Sequence, residues 1–227
     1  IRCDRGVRCG YNISTMTKFE KIHFHASHKP RAQKALEELS GQYKNHDIEE
    51  ADVIVVLGGD GSMLRALHEH AGKGKPLYGM NLGTLGFLLN EYKLQDLPER
   101  LKTAQGFDIH PLRMTVRDKN GKIHKEDAFN EVALLRQTHS SAKIRISIDG
   151  HERIAELTCD GIMLSTPVGS TAYNSSAGGP IVPLNANILP LTPISPFRPR
   201  RWPGAMIPHD SEIVFDILRA PERPVPP

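Results

Sequence analysis

The chain has 227 residues, 39% of them hydrophobic and 24% charged, which allows a substantial buried core and excludes the charge-rich, core-poor class of unfolded chains. Its 29 basic and 26 acidic residues leave a net charge of +3, too mild to require a nucleic acid or an anionic membrane, and no apolar run approaches the ~18 residues of a membrane span or forms a secretion-signal core. Three cysteines, Cys3, Cys9 and Cys159, exclude a disulfide framework and lack the paired CxxC spacing of a zinc site, so a reducing, cytoplasmic setting is the default expectation.

Residues 1–15 are expected to be disordered or of vector origin, because strand-like sequence starts only after Met16. KIHFHAS (21–27) alternates as a strand, and PRAQKALEEL (30–39) reads as a helix opening on Pro30. DVIVVL (52–57) is a continuous β-branched run, the pattern of a strand covered on both faces of a parallel sheet. GGDG ends it, SMLRALHEHA (62–71) has helical spacing, PLYGMNLG (76–83) is a strand, and LQDLPERLK (94–102) is a short helix. This alternation predicts an α/β domain over 16–108 with a Rossmann-like parallel sheet.

From about Ile109 the pattern becomes antiparallel β. LRMTVRD and KIHKEDAFNEVALLR flank Asn120-Gly121, and KIRISID and HERIAELT flank Asp149-Gly150, so each pair predicts a hairpin with a type I′ turn. These fill a mostly β domain over 109–204, whose end, LPLTPISPFRPRRWPG (189–204), reads as proline-rich and irregular. Residues 205–227 supply a last strand, EIVFDIL (212–218), expected to return to the first domain because a lone strand needs a sheet, and a PERPVPP tail.

Three elements carry chemistry. The first is Gly58-Gly59-Asp60-Gly61, where a buried strand runs into a helix. Glycines there can take positive φ and let amides approach a phosphate, and the helix N-terminus favours the same charge. It is neither a Walker A loop nor a GxGxxG fingerprint. A carboxylate among such amides would repel phosphate unless Asp60 positions a metal or receives a proton; the plain alternative is Asp60 as N-cap of the helix. The second is DGIMLSTPVGSTAYNSSAGGP (160–180), with hydroxyls at Ser165, Thr166, Ser170 and Thr171 and a helix start expected near 170. Tyr173 offers a flat face for adenine, and small Ala172, Ala177, Gly178 and Gly179 would admit a flat ligand; a capped helix after a glycine-rich loop is the alternative. The third is Phe129-Asn130-Glu131-Val132, whose amide and carboxylate suit a ribose diol, or merely mark a solvated strand edge.

LGGDG (57–61), NLGTLGF (81–87), FNE (129–131) and DGIMLSTPVGSTAYNSSAGGPI (160–181), in this order, resemble the NAD kinase family, and the resemblance runs over nearly all of the chain from Met16. GGDG by itself is shared with diacylglycerol and sphingosine kinases; FNE together with STPxGSTAYN is specific to NAD kinases. The resemblance implies transfer of phosphate from Mg²⁺-ATP, or in some members polyphosphate, to the 2′-hydroxyl of the adenosine ribose of NAD, giving NADP. Nucleotides would bind in a cleft between two lobes. It makes Asp60 the base or hydroxyl-orienting group, Gly59 and Gly61 shapers of the phosphate loop, and Phe87 a wall of the NAD pocket. Asn130 and Glu131 match the ribose-contacting pair, and Thr171, Ala172 and Tyr173 the adenine segment. Asp160 and Ser176 match further nucleotide contacts, and His209, in IPHDSEI, a pocket histidine. It further implies a homodimer or homotetramer, with no nucleic acid, membrane or resident metal.

The chain departs from the pattern at Val168, where the family usually has a hydroxyl residue, and at Thr158-Cys159, where some members have a basic one. Arg198, Arg200 and Arg201 stand in an atypical segment, as phosphate ligands or as surface residues. His23, His25 and His28 form HxHxxH, with His23 and His25 on one strand face; a structural reading is preferred to a metal pair, and Lys73 and Lys75 are read as a solvated turn. Two rival readings remain open on sequence grounds: a lipid kinase sharing GGDG, which would need an apolar groove, and a catalytically silent NAD sensor.

Overall fold

The computed structural model describes residues 1–5, 19–70, 72–84 and 86–226. These fall into two compact units, one within Cys9–Asp108 and the other within Ile1–Arg8 and Ile109–Pro227. No helix among the described residues is long and apolar enough to cross a membrane.

The chain opens with β1 (Arg2–Arg5), which belongs to the larger unit. The smaller unit is a four-stranded parallel sheet, β2 (Ile22–Ala26), β3 (Val53–Gly58), β4 (Leu77–Asn81) and β5 (Asn90–Glu91), side by side in chain order. Helix α1 (Pro30–Tyr43) joins β2 to β3, α2 (Asp60–His70) joins β3 to β4, and α3 (Leu97–Thr103) follows β5. Strand β3 is buried at every position because both its faces are covered. Val53, Val55 and Leu57 pack with Ala35 and Leu39 of α1 and Leu97 and Leu101 of α3. Ile54 and Val56 pack with Met63 and Ala66 of α2. The absence of alternation in VIVVLG is therefore the direct imprint of a two-sided environment.

In the larger unit the remaining strands are β6 (Leu112–Arg117), β7 (Ile123–Ala128), β8 (Glu131–Leu135), β9 (Ala142–Ile148), β10 (His151–Cys159), β11 (Gly161–Ser165), β12 (Ile188–Ile194), β13 (Ala205–Pro208) and β14 (Ile213–Ile217). They form a six-stranded sheet ordered β10-β9-β14-β1-β6-β7 and a four-stranded sheet ordered β13-β12-β11-β8. One apolar cluster joins the two, with Ile144, Ile146, Leu157 and Phe215 from the first and Leu134, Ile162, Leu164 and Leu191 from the second. Along β9 the alternation is clean: Ala142, Ile144 and Ile146 are buried, while Lys143 and Arg145 pair with Glu156 and Glu152 on the neighbouring strand.

Several expectations need correction. Residues 2–5 of the segment expected to be disordered form a strand, its backbone paired antiparallel to β6 and to β14; residues 6–15 lie outside the described residues. The last strand does not return to the α/β unit. It lies between β9 and β1, and without it the six-stranded sheet would be two fragments. The proline-rich stretch holds an interior strand, β12. Its register with β11 covers 191–194 and with β13 covers 188–191, so Pro190 and Pro193 each sit where one neighbour has ended and no ladder bond on that side is missing. Asp149 and Gly150 both have positive φ, as a type I′ turn requires. At Asn120-Gly121 only Gly121 does, because the Asp118 carboxylate accepts the Asn120 and Lys122 N–H groups and imposes a wider turn.

Candidate active site

In the smaller unit, GGDG lies at the C-terminal end of the buried strand β3. None of Gly58, Gly59 and Gly61 has positive φ, contrary to the expectation for this loop. Gly58 is glycine for a packing reason, since a Cβ would fall 2.3 Å from Ser62 Oγ. At Gly59 and Gly61 a Cβ would meet nothing within 4 Å, so no intramolecular contact demands glycine at either position.

Asp60 begins α2 but does not cap it. Its Oδ2 accepts the N–H of Phe87 at 2.9 Å and its Oδ1 the N–H of Leu88 at 3.1 Å. The carboxylate thus fastens Phe87 and Leu88 to the start of α2, and the Leu82 N–H, donating to the Gly58 carbonyl at 2.7 Å, ties the residue after β4 to the end of β3. Each Asp60 oxygen retains a second lone-pair direction, and the residue is only half-buried. The Phe87 ring is 59% exposed, an open aromatic beside that carboxylate's anchor.

In the larger unit, the long run after Asn120 is not one strand: it breaks at Phe129-Asn130, and β8 leaves for the other sheet. The break is built by STPVG. Thr166 Oγ1 donates to the Phe129 carbonyl at 2.6 Å, the Thr166 N–H donates to the Asn130 carbonyl at 2.8 Å, and Gly169 lies so close that a Cβ would stand 2.1 Å from the Asn130 oxygen. Beside this junction Asn130 Oδ1 and Glu131 Oε2 are covered and lack any hydrogen-bond partner. Burial pushes the Glu131 carboxyl above its usual range. Two shielded acceptors without donors are an expensive feature that a ligand bearing hydroxyls would satisfy.

Most hydroxyls of the second cluster serve the fold instead. Ser165, Thr166, Ser170 and Asn174 are buried; Ser170 Oγ holds the Pro167 carbonyl and the Val182 N–H, and Asn174 holds the Ser170 and Pro180 carbonyls and the Thr192 hydroxyl. Gly179 is required by that network, since its Cβ would meet Asn174 Oδ1 at 2.2 Å, and Gly178 has a φ of 84°. The expected helix near 170 is a 3-10 turn, Val168–Thr171, followed by a single helical turn α4 (Tyr173–Ser176). What this buried framework presents outward is Thr171, Ala172, the Tyr173 ring at 39% exposure, and Ser176. Val168 is a core residue, so its departure from a hydroxyl removes no exposed contact.

Asp160 is occupied by Arg136, whose Nε donates to it at 2.6 Å. Its neighbour Cys159 is buried, which pushes the thiol up to about 12 and leaves it inert. His209 is partly buried, its N–H on the Asn187 carbonyl. Arg198 and Arg200 flank the exposed Phe197 ring at 5.6 and 5.7 Å. Lys75 is no free turn residue, as its ammonium bridges the Glu49 and Ala51 carbonyls at 2.7 Å each. Neither the Asp60 anchor nor the Asn130 junction is visible in the spacing of the sequence.

Family models and known proteins match the chain over most of its length. A family model described as the ATP-NAD kinase N-terminal domain matches residues 4–109, and one described as the ATP-NAD kinase C-terminal domain matches 129–217. The chain is 49% identical over 205 residues to a protein named NAD kinase from Hyphomonas neptunium, covering 90% of this chain and 80% of that one. Against the NAD kinase of Caulobacter vibrioides the identity is 52% over 205 residues, covering 90% and 79%. Its fold is similar to that of yeast NADH kinase complexed with NADH, with a TM-score of 0.71 at 22% identity, over 90% of this chain and 74% of that one. It is also similar to an NAD kinase from Archaeoglobus fulgidus in complex with ATP, with a TM-score of 0.64 at 24% identity, over 87% and 83%.

Proposed function

Because the chain belongs to the ATP-NAD kinase family, we propose that its two polar constellations, Asp60 with its loop and Asn130-Glu131 with theirs, are the parts that carry out phosphorylation of NAD. The protein is an ATP-dependent kinase that converts NAD to NADP, and the lipid-kinase and silent-sensor readings are not favoured. The observation that carries the assignment of residues is the pair of covered acceptors, Asn130 Oδ1 and Glu131 Oε2. A ribose diol brings two O–H donors, the complement of two idle acceptors.

In this reading the 2′-hydroxyl oxygen of the adenosine ribose attacks the γ-phosphorus of ATP, the bond from that phosphorus to the β,γ-bridging oxygen breaks, and ADP leaves. Asp60 takes the hydroxyl proton or orients it. Gly59 and Gly61, where a Cβ would meet nothing within 4 Å, let phosphate oxygens come close to the backbone. Tyr173, Ala172 and Thr171 receive the adenine, the exposed Phe87 ring borders NAD, and Asp160, Ser176 and His209 add contacts to the dinucleotide. Magnesium enters with ATP; the half-buried Asp60 carboxylate, with a lone pair to spare on each oxygen, fits a place beside that ion, which would neutralise phosphate charge. The reaction is assigned to the cytoplasm and to a homo-oligomer. Incubation of the protein with NAD and Mg-ATP, followed by mass spectrometry, is expected to give NADP and ADP in equal amounts; no NADP would overturn the assignment.

Two substitutions probe the parts. Gly59→Ala is expected to leave the melting temperature unchanged, because its Cβ has open space, and to raise the KM for Mg-ATP about tenfold, equivalent to ~1.4 kcal/mol. A melting temperature lowered with KM intact would make the glycine a folding requirement instead. For Glu131→Gln the sign follows from linkage. Burial raises its folded pKa above the ordinary 4.5, so the stability it contributes is complete at acidic pH and is lost as pH rises through the folded value. The glutamine variant should therefore melt higher than the parent at pH 8, with the gap closing at acidic pH, while its KM for NAD rises. Thermal denaturation across pH, paired with NAD kinetics, reads both effects.

A further inference from the structure

The HxHxxH segment is used in a way that spacing along one strand does not reveal. His25 of β2 is in register with Val56 of β3, on the sheet face that packs against α2. The last two residues of α2, Glu69 and His70, come to meet it. His25 Nε2 lies 3.8 Å from Glu69 Oε2, and the His25 and His70 rings meet edge to face at 5.4 Å. One ligand atom from each of the three lies within 4.8 Å of the other two. His70 is 9% exposed, and neither of its ring nitrogens has a hydrogen-bond partner. An imidazole shut away with an idle lone pair and an idle N–H is poorly served by its own fold. His23, by contrast, already has the His46 carbonyl at 2.9 Å, and His28 is exposed.

We propose that His25, Glu69 and His70 form a binding site for one transition-metal dication of the zinc class, separate from the magnesium that accompanies ATP. Two imidazoles and a carboxylate suit a borderline ion such as Zn²⁺ or Co²⁺, whereas Mg²⁺ and Ca²⁺ favour oxygen ligands alone. The three-ligand set leaves a coordination position for water, and Glu69, on the exposed side of the cluster, gives an ion a way in. The site sits at the C-terminal end of α2, whose partial negative charge favours a cation, while Asp60 begins the same helix.

The test uses the full chain, free of nucleotide, titrated with zinc chloride by calorimetry and with cobalt(II) by visible absorbance. One zinc equivalent should bind, and cobalt should develop the visible bands of a nitrogen- and oxygen-ligated ion. His25→Gln and Glu69→Gln, at partly exposed positions that spare the buried His70, should each weaken zinc binding by at least about tenfold, since even partners outside the ligand shell cost 10–100-fold. His70→Gln should abolish binding if it folds. With 11 histidines in the chain, zinc bound as tightly by both partly exposed variants would show that it sits elsewhere and would overturn the proposal, as would a parent protein that binds no zinc.

Discussion

Asp60→Asn is expected to lower kcat by two orders of magnitude or more, the scale of a general-base contribution, while NAD still binds. The substitution is informative because the carboxylate has a second, structural use. Both of its oxygens accept backbone N–H groups, from Phe87 and Leu88. An asparagine keeps one acceptor and turns an NH₂ group toward the other N–H, so the GTLGF anchor loses one hydrogen bond of about 1 kcal/mol. If anchoring were the residue's whole purpose, the variant would show a lower melting temperature and a raised KM for NAD, with kcat within tenfold of the parent. If Asp60 also orients or deprotonates the hydroxyl, kcat collapses at saturating NAD and Mg-ATP. Steady-state kinetics with both substrates saturated separates the two outcomes, and near-normal kcat would sink the catalytic role.

The parts of the fold legible in the sequence are those decided locally. VIVVLG reads as a doubly covered strand because all its positions are apolar, and Asp149-Gly150 reads as a type I′ turn because its two residues tolerate positive φ. The misjudged parts depend on partners far away in sequence. Nothing within EIVFDIL states that its neighbours are β9 and β1 rather than the parallel sheet, because that choice rests on which edges the rest of the chain leaves open. Pro190 and Pro193 argue against a strand until the staggered ends of β11 and β13 are known. The site shows the same division. Its motifs pick out segments, but residue type alone does not separate Ser165, Thr166, Ser170 and Asn174, consumed by the interior, from Thr171, Ala172 and Tyr173, which face outward. The adjacent hydroxyl residues Ser170 and Thr171 look alike on paper; burial distinguishes them.

Gly169→Ala carries the second large expected effect, on stability and substrate affinity together. A Cβ at this position would stand 2.1 Å from the Asn130 carbonyl oxygen, 2.4 Å from its carbonyl carbon and 2.6 Å from its Cα. All three atoms are backbone, so no rotamer change relieves the clash; either the 3-10 turn or the strand break must shift. Overpacking of this kind costs typically 1–3 kcal/mol, and the rigid partner places this case at the upper end, a fall in melting temperature of about 6–10 °C. The break also sets the direction of the Asn130 and Glu131 side chains, whose covered acceptors are assigned to the ribose. The KM for NAD should therefore rise well beyond what the stability loss alone would cause at a temperature where the variant is still folded. Gly61→Ala is the control: its Cβ has nothing within 4 Å, and its melting temperature should match the parent's. Equal melting temperatures for the two variants would mean that the junction yields easily and that Gly169 is not what fixes the Asn130–Glu131 pair. A drop confined to Gly169→Ala, with weakened NAD binding measured by calorimetry on the folded variant, ties the glycine in STPVG to the asparagine and glutamate in FNE through a single backbone contact.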